Sequence, residues 1–250
     1  MTEITFKFDP RVLLGTLDRS KEQIVPGHDS RYWVDFHLAF YRYCKPHASG
    51  DVLDLGCGYG YGAHLLSETA KSVVGIDYHS PAIEYAREHY AGENQAFREH
   101  DANNPLPFED NSFDLIVSSE VLEHIALQKE LLSEIARVGR PAGHAIIKTP
   151  QAKGETRSDN PHHAHELNRD EFQSLIKSVF PKAELFYWLQ KCNIENRIID
   201  LPIEPKIEKF EDPNPSDKAV LLYSVTAPTI TPMDSSEDRE GDLLAVCPIE

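Results

Sequence analysis

The chain has 250 residues, 40% hydrophobic and 26% charged, a composition typical of one soluble globular domain with at most a small appendage. Its 25 basic and 41 acidic residues give a formal net charge of −16. This charge argues against a nucleic-acid partner, because an acidic protein has no general attraction to a phosphate backbone. No apolar run is long enough to span a bilayer and the N-terminus lacks a signal-peptide pattern, so we expect a cytoplasmic protein without a membrane partner.

The first 50 residues are predicted to form a cap segment. Residues 30–43 carry aromatic side chains at a spacing of three to four, which indicates an amphipathic helix with Ser30 as its N-cap. Most of these aromatic side chains are expected to lie in the core. Tyr32 and Trp33, near the start of the helix, are the ones expected to reach a ligand.

Residues 51–149 alternate between short apolar segments and amphipathic ones. The predicted strands are 51–55, 72–76, 96–100, 113–118 and 143–149, and the predicted helices are 61–69, 80–89 with Ser80 as cap, and 127–138. Strands that alternate with helices form a parallel sheet covered on both faces, so the expected fold is a doubly wound, Rossmann-like α/β domain. Ligands of such sheets bind beyond the carboxyl ends of the strands, where the strand order reverses.

The C-terminal part is predicted to complete a mostly parallel, seven-stranded sheet. Asn168 caps a helix over 169–179, and strands follow at 183–189 and 242–247, the last an antiparallel partner of the one before it. Between them, residues 191–241 hold six prolines, and residues 200–250 hold twelve acidic and four basic side chains.

These features divide the chain into a cap at 1–50, a main domain at 51–190 and 242–250, and an acidic insertion at 191–241. The sequence leaves three interpretations of the insertion open. It forms part of an acceptor-binding wall, it makes the contact of a homodimer, or it is only a solvated segment.

A glycine-rich loop, Asp54-Leu55-Gly56-Cys57-Gly58-Tyr59-Gly60, follows the first predicted strand. Glycines let the backbone turn tightly and approach a ligand without a Cβ in the way. An acid just before the glycines would repel a pyrophosphate, but it suits a ligand with a cationic amino group. Asp54 is that acid, so the loop favours a nucleoside ligand without phosphate.

Two further acids end the next two strands. Asp77, which lies 21 residues after Gly56, can accept hydrogen bonds from ribose hydroxyls. Asp101 can accept one from the adenine amine, and the amide of Ala102 can face a ring nitrogen. Each acid alone is more commonly a solvated strand end, but acids at successive strand ends together with the glycine loop indicate a nucleoside site.

The segments VLDLGCGYG, VVGIDYHSPAIEYA, HDANNPLPFEDNSFDLIVSSEVLEHI and RVGRPAGHAIIKTP resemble the successive motifs of class I S-adenosylmethionine-dependent methyltransferases. The resemblance runs from about Asp51 to Thr149 and implies S-adenosylmethionine as cofactor. The implied cofactor contacts are Asp54, Gly56, Gly58, Gly60, Asp77, Tyr78, Asp101, Ala102 and Glu120. The resemblance also implies that Glu120 and His124 lie beside the transferable methyl group. One departure is Ala142, where the family usually has glycine and where we expect only a stiffer turn.

Three shorter segments, EQIVPG at 22–27, NPHHAHE at 160–166 and the final DLLAVC, resemble bacterial methyltransferases that modify small molecules and saccharides. This resemblance implies transfer to a hydroxyl of a small-molecule or saccharide acceptor. Two alternatives stay open: an N-methyltransferase of an amine or nucleotide sugar, and a non-catalytic S-adenosylmethionine-binding protein.

A hydroxyl acceptor must lose its proton, and histidine is the side chain that ordinarily titrates nearest neutrality. We predict that His163 is the base, that His165 and Glu166 orient it or the acceptor, and that Glu120 and His124 lie nearby. The same loop has a structural interpretation, in which His165 and Glu166 only brace the next helix.

A metal site is the third interpretation of the histidine loop, since imidazoles and a carboxylate can hold a divalent ion. Mg²⁺ prefers oxygen ligands, whereas this loop is rich in nitrogen. We therefore expect no metal, with Mg²⁺ as a disfavoured alternative.

Overall fold

The alternation of strands and helices along the chain is the one predicted from the sequence. A computed structural model describes residues 23–25, 31–152, 160–189, 192–194, 197–199, 223–225, 229–233 and 242–250. The predicted cap residue Ser30 and the side chains of Tyr32 and Trp33 lie outside this description. Among the described residues, no helix has the length and apolar character needed to cross a membrane.

Five α-helices and eleven strands are described. The helices are α1 (Arg31–Cys44), α2 (Tyr61–Ser67), α3 (Ser80–Tyr90), α4 (Gln128–Val138) and α5 (Arg169–Val179), with 3₁₀ turns at Lys45–His47 and Leu122–His124. The strands are β1 (Asp51–Leu55), β2 (Ser72–Asp77), β3 (Gln95–Glu99), β4 (Phe113–Ser119), β5 (Gly139–Thr149), β6 (Glu184–Leu189), β7 (Cys192–Ile194), β8 (Arg197–Ile199), β9 (Tyr223–Val225), β10 (Thr229–Pro232) and β11 (Asp242–Pro248).

The main sheet has the order β10-β6-β11-β5-β4-β1-β2-β3. Strands β1 to β5 pair in parallel, and β11 runs antiparallel to both β5 and β6, as predicted for the last strand. The seven-stranded, mostly parallel Rossmann-like sheet is therefore confirmed, and β10 adds a short eighth strand at the β6 edge. The strand order reverses between β1 and β4, which is where such a fold binds its ligand.

The segment at 191–241 contributes short strands in its described part. Strands β8, β7 and β9 form a separate three-stranded antiparallel sheet, and β10 joins the main one. The predicted division of the chain at residues 191 and 241 stays a prediction.

Side chains alternate across the sheet, so two cores form, one on each face. In β1, Val52 joins the core under α1, α2 and α3, whereas Leu53 and Leu55 join the core under α4 and α5. The same alternation directs Asp54 towards the α1 face, which decides its surroundings at the site.

The ends of several elements differ from the sequence prediction. Helix α3 begins at Ser80 with His79 in the N-cap position, so Ser80 is not the cap. Strand β5 begins at Gly139, four residues earlier than predicted, with an irregularity in its pairing with β4. Ala142 has a φ of 67°, a left-handed conformation that strains a residue with a Cβ, so this departure does more than stiffen the turn.

The predicted cap of α5 is confirmed. The Asn168 side chain accepts from the Glu171 amide at 3.0 Å, and the Glu171 carboxylate accepts from the Asn168 amide at 2.9 Å. This capping box satisfies two amides at the start of the helix and fixes where the histidine loop ends.

Candidate active site

The glycine loop turns sharply at the end of β1. Gly56, Gly58 and Gly60 have φ values of 76°, 51° and 82°. A Cβ on Gly56 would lie 2.2 Å from Val121, so only glycine fits beneath that side chain. A Cβ on Gly58 would meet no atom within 4 Å, because that side of the loop faces open space that a ligand can fill.

This open space is a cavity of about 760 Å³ at the switch in strand order. Most of the residues predicted for the site line it: Gly56, Gly58, Asp77, Tyr78, Asp101, Ala102, Glu120, His124 and His163. The lining does not include Asp54, Gly60, His165 or Glu166. The fold thus brings together residues from four strand ends and the histidine loop.

Asp77, at the end of β2, holds the glycine loop in place. Its Oδ2 accepts from the Gly58 amide at 2.9 Å and its Oδ1 accepts from the His79 amide at 2.9 Å. The side chain is largely buried, and this burial raises the pKa of the carboxyl.

Gln23 is a site residue that the sequence reasoning did not single out. Its Nε2 donates to Asp77 Oδ1 at 2.8 Å, and its Oε1 accepts from the ring of His79 at 2.6 Å. A carboxylate accepts about four hydrogen bonds, so three donors leave Asp77 about one position for a ribose hydroxyl. A second hydroxyl would have to replace the Gln23 amide. The sequence feature that could have identified Gln23 is the EQIVPG segment, but nothing in that segment indicates which strand end it contacts.

Asp54 lies beside the cavity under α1 and is fully buried. Its Oδ1 accepts from the hydroxyl of Tyr41 at 3.1 Å, whereas its Oδ2 is buried without a hydrogen-bond partner in the described part of the structure. An unpaired buried carboxylate oxygen beside the glycine loop is suited to a cationic amino group. Tyr41 also lines the cavity, so the aromatic helix reaches the site through a residue that the sequence analysis passed over.

Burial raises the pKa of Asp54 to about 7, although its hydrogen bond with Tyr41 opposes the shift. In the unfolded chain an aspartate has a pKa of about 3.9. The folded state therefore keeps a proton that the unfolded chain loses, and the stability from this group is lost as the pH rises through about 7.

We expect the free energy of unfolding of the wild type, relative to that of Asp54→Asn, to fall between about pH 5 and about pH 7. Asparagine keeps the acceptor for Tyr41 but cannot ionise, so the difference isolates the titration of Asp54. Urea unfolding of both proteins across this range measures it. A difference that stays constant with pH would show that Asp54 does not titrate there.

Asp101 and Ala102 line the cavity just beyond β3. Asp101 is exposed, and its Oδ1 accepts from both the backbone amide and the side-chain amide of Asn103, each at 2.9 Å. These bonds fix the turn that follows the strand. The position agrees with the adenine contact inferred from the sequence, and the contact itself stays a prediction.

Glu120 follows β4 with a φ of 56°, a strained conformation of the kind that functional sites often contain. Its carboxylate pairs with the buried Lys148 of β5, whose Nζ also lies 2.9 Å from Asp242 of β11. Burial opposes the charged form of Lys148, but these two carboxylates raise its pKa. The pair fixes Glu120 at the cavity wall.

His163 is held by a carboxylate and an amide on opposite sides of its ring. Its Nδ1 lies 2.5 Å from Glu166 Oε1, and its Nε2 lies 3.0 Å from the side-chain amide of Asn160. Asn160 Oδ1 accepts from the His162 amide, so its NH₂ group is the one that faces His163. The ring therefore donates through Nδ1 to Glu166 and accepts at Nε2.

His124 lies against His163, with ring centroids 4.8 Å apart and planes at 88°. Its Nδ1 donates to the His162 carbonyl at 3.0 Å, which leaves the lone pair on Nε2. That nitrogen lies 3.8 Å from Oε1 of Glu123, a fully buried carboxyl that the sequence analysis did not name. Burial, and then the charge of Glu120, raise the pKa of Glu123 well above its usual range.

His165 is not brought into this cluster. Its ring lies 3.7 Å from the Glu171 carboxylate on the first turn of α5, and its backbone braces Glu123 and Gln128. The interpretation in which the loop only braces the next helix therefore fits His165. Glu166, in contrast, lies where it can orient His163.

Comparisons with known proteins agree with this architecture. A family model described as a methyltransferase domain matches residues 46–194. A protein of Mycolicibacterium smegmatis described as a "Probable S-adenosylmethionine-dependent methyltransferase" is 30% identical over 246 residues, which cover 94% of each chain. A Mycobacterium tuberculosis protein with the same description is 35% identical over 235 residues, or 88% of this chain and 84% of that one.

The fold also matches solved structures. The YcgJ protein of Bacillus subtilis superposes with a TM-score of 0.52 at 22% identity, over 64% of this chain and 75% of that one. At this identity the likeness shows the fold alone. The family match over most of the chain, together with the glycine loop, the strand-end acids and the cavity that joins them, places the chain among the S-adenosylmethionine-dependent methyltransferases.

Proposed function

We propose that the protein transfers the methyl group of S-adenosylmethionine to a hydroxyl of a small molecule or saccharide. The observation that carries this proposal is the pair of imidazoles, His124 and His163, at the end of the cavity beyond β4 and β5. A hydroxyl is ionised only far above neutral pH, so its transfer reaction needs a group that takes up the proton. The net charge of −16 disfavours a nucleic-acid acceptor.

The chain's residues divide between holding the cofactor and preparing the acceptor. The bound cofactor supplies an electrophilic methyl group on its sulfonium. Asp77 holds the ribose, and the open side of Gly58 admits the cofactor. Asp54, which lies beside the cavity, attracts the amino group of the cofactor when its carboxylate is ionised. These are roles that the chemistry of the residues supports.

His163 is the proposed base. Once the Asn160 amide has moved aside, Nε2 of His163 takes the proton of the acceptor hydroxyl. Glu166 stabilises the imidazolium that forms. Methyl and acceptor then meet in line at this end of the cavity, whose wall includes Glu120. Holding both reactants in one orientation supplies much of the acceleration in such displacements.

S-adenosylhomocysteine is expected to stabilise the purified protein. At about 100 times its dissociation constant, a ligand that binds only the folded state adds roughly 2.7 kcal/mol to the free energy of unfolding. Thermal unfolding with and without the ligand measures this, with NAD as the control. A shift with NAD and none with S-adenosylhomocysteine would overturn the cofactor assignment.

The acceptor class is tested with isotopically labelled S-adenosylmethionine and matched hydroxyl and amine acceptors. We expect label in hydroxyl-bearing saccharides or small molecules. Label found only in amines, with turnover that survives loss of the histidines, would support the N-methyltransferase alternative. Cofactor binding without turnover of any acceptor would support a non-catalytic binding protein.

A further inference from the structure

Three side chains at the acceptor end of the cavity have the composition of a metal site. The potential ligand atoms of Glu123, His124 and His163 all lie within 4.8 Å of one another. They come from the 3₁₀ turn after β4 and from the histidine loop, so only the folded chain brings them together. All three line the cavity.

Both histidines are already oriented as metal ligands usually are. A ligating imidazole commonly donates its other N–H to a carboxylate or a backbone carbonyl, which fixes its tautomer. His163 donates through Nδ1 to Glu166, and His124 donates through Nδ1 to the His162 carbonyl. The lone pair of each ring therefore lies on Nε2, and on His163 it now accepts from the Asn160 amide at 3.0 Å.

The third side chain carries an unsatisfied oxygen. Glu123 is fully buried, and its Oε2 accepts from the Thr149 hydroxyl at 2.9 Å. Its Oε1 is also buried, 3.8 Å from Nε2 of His124, and has no hydrogen-bond partner among the described residues. A buried carboxylate oxygen without a partner is costly, and a cation would remove that cost.

We propose that Glu123, His124 and His163 bind a divalent first-row transition-metal ion at the acceptor end of the cavity. Two imidazole nitrogens favour such an ion over Mg²⁺, which prefers oxygen ligands. The His124 side chain is 34% exposed, so the site is open towards the cavity, as sites that bind a reacting oxygen are.

This inference rests on the proposed function for its chemical role. A hydroxyl that ligates a divalent ion ionises more readily, and its proton passes to solvent. His163 then acts as a ligand, so the metal replaces it as the group that ionises the acceptor. Metal–nitrogen bonds of about 2.1 Å require the three side chains to approach by roughly 1 Å. The Asn160 amide, now 3.0 Å from His163 Nε2, must give way.

The test uses the full chain, freed of metal with a chelator and then dialysed. Co²⁺ is titrated in while its visible absorption is recorded, and Zn²⁺ and Mg²⁺ are titrated by calorimetry. We expect one Co²⁺ or Zn²⁺ per chain and much weaker Mg²⁺ binding. Glu166→Gln, which removes the charge behind His163, should weaken binding about 10–100-fold. Glu123→Gln and His163→Asn should weaken it at least as much.

His165→Ala is the matched control, because this histidine belongs to the same loop but faces α5. Its affinity for Co²⁺ should equal that of the wild type. If Glu123→Gln does not fold, judged by its thermal response to S-adenosylhomocysteine, His124→Asn and His163→Asn carry the test. Absence of saturable binding, or equal binding by all variants, would overturn the site.

The outcome separates this inference from the proposed function. A chelated protein that binds no ion but still methylates a hydroxyl would refute the metal and leave His163 as the base. Stoichiometric binding lost in the ligand variants would support the metal site, even if only amines were methylated, and that result would refute the proposed function.

Discussion

Replacing His163 with alanine should lower turnover by about 10²–10⁴-fold, the usual effect of removing a general base. The affinity for S-adenosylhomocysteine should stay unchanged, because the cofactor is assigned to Asp77 and the glycine loop. The physical reason is the position of the ring at the end of the cavity where we propose that the acceptor binds, with Glu166 holding its Nδ1. Steady-state kinetics with an identified acceptor, together with a separate binding titration, measure the two effects.

His162→Ala is the control for this variant, since His124 bonds to the backbone carbonyl of His162 rather than to its side chain. It should be much milder than His163→Ala. Near-normal turnover in His163→Ala would place the base elsewhere, with His124 and Glu120 as the next residues to test, or would indicate an amine acceptor. Lost cofactor binding would instead show that the loop is a structural lid.

Asp77→Ala should weaken the binding of S-adenosylhomocysteine by roughly 10–100-fold for each ribose hydrogen bond lost, since a bond to a charged acceptor contributes about 1.5–3 kcal/mol. The variant also frees the amide of Gly58, so the glycine loop loses the contact that sets its position. Calorimetric titration of the purified variant measures the affinity. Its thermal unfolding shows whether the domain is intact.

Glu99→Ala provides the matched comparison. Glu99 pairs with Asp77 in the register of β2 and β3, but its side chain is exposed and does not line the cavity. Its replacement should leave the affinity unchanged. If Asp77→Ala binds S-adenosylhomocysteine as tightly as the wild type, Asp77 is only a charged residue at the end of a strand and does not bind the ribose.

The fold was predictable because its signals are local. Apolar segments such as 51–55 and 113–118 bury on both faces of a parallel sheet, and the amphipathic segments between them can only cover it. The glycine loop and the acids at strand ends were predictable for the same reason, since the carboxyl ends of parallel strands meet at one edge. Asp77 and Asp101 thus reach the same cavity from positions fixed by the chain order.

Element ends were less predictable where tertiary contacts extend or shift them. The early start of β5 at Gly139 depends on its pairing with β4, and the left-handed Ala142 lies in that irregular stretch. Ser80 resembles a cap, but the chain enters α3 through His79. Differences of a few residues at element ends are common. At α3 the His79 amide donates to Asp77 Oδ1, so the chain enters the helix through a contact with the site.

The sequence by itself determined the sheet, the glycine loop and the strand-end acids, because each depends on residues near one another in the chain. Only the tertiary structure decided which distant side chains meet: Gln23 with Asp77, Tyr41 with Asp54, and Glu123 with His124 and His163. It also turned His165 towards α5 and away from the cluster. The physical reason is that these contacts depend on how separate loops and helices pack over one sheet edge, and no periodicity within any single segment encodes that packing.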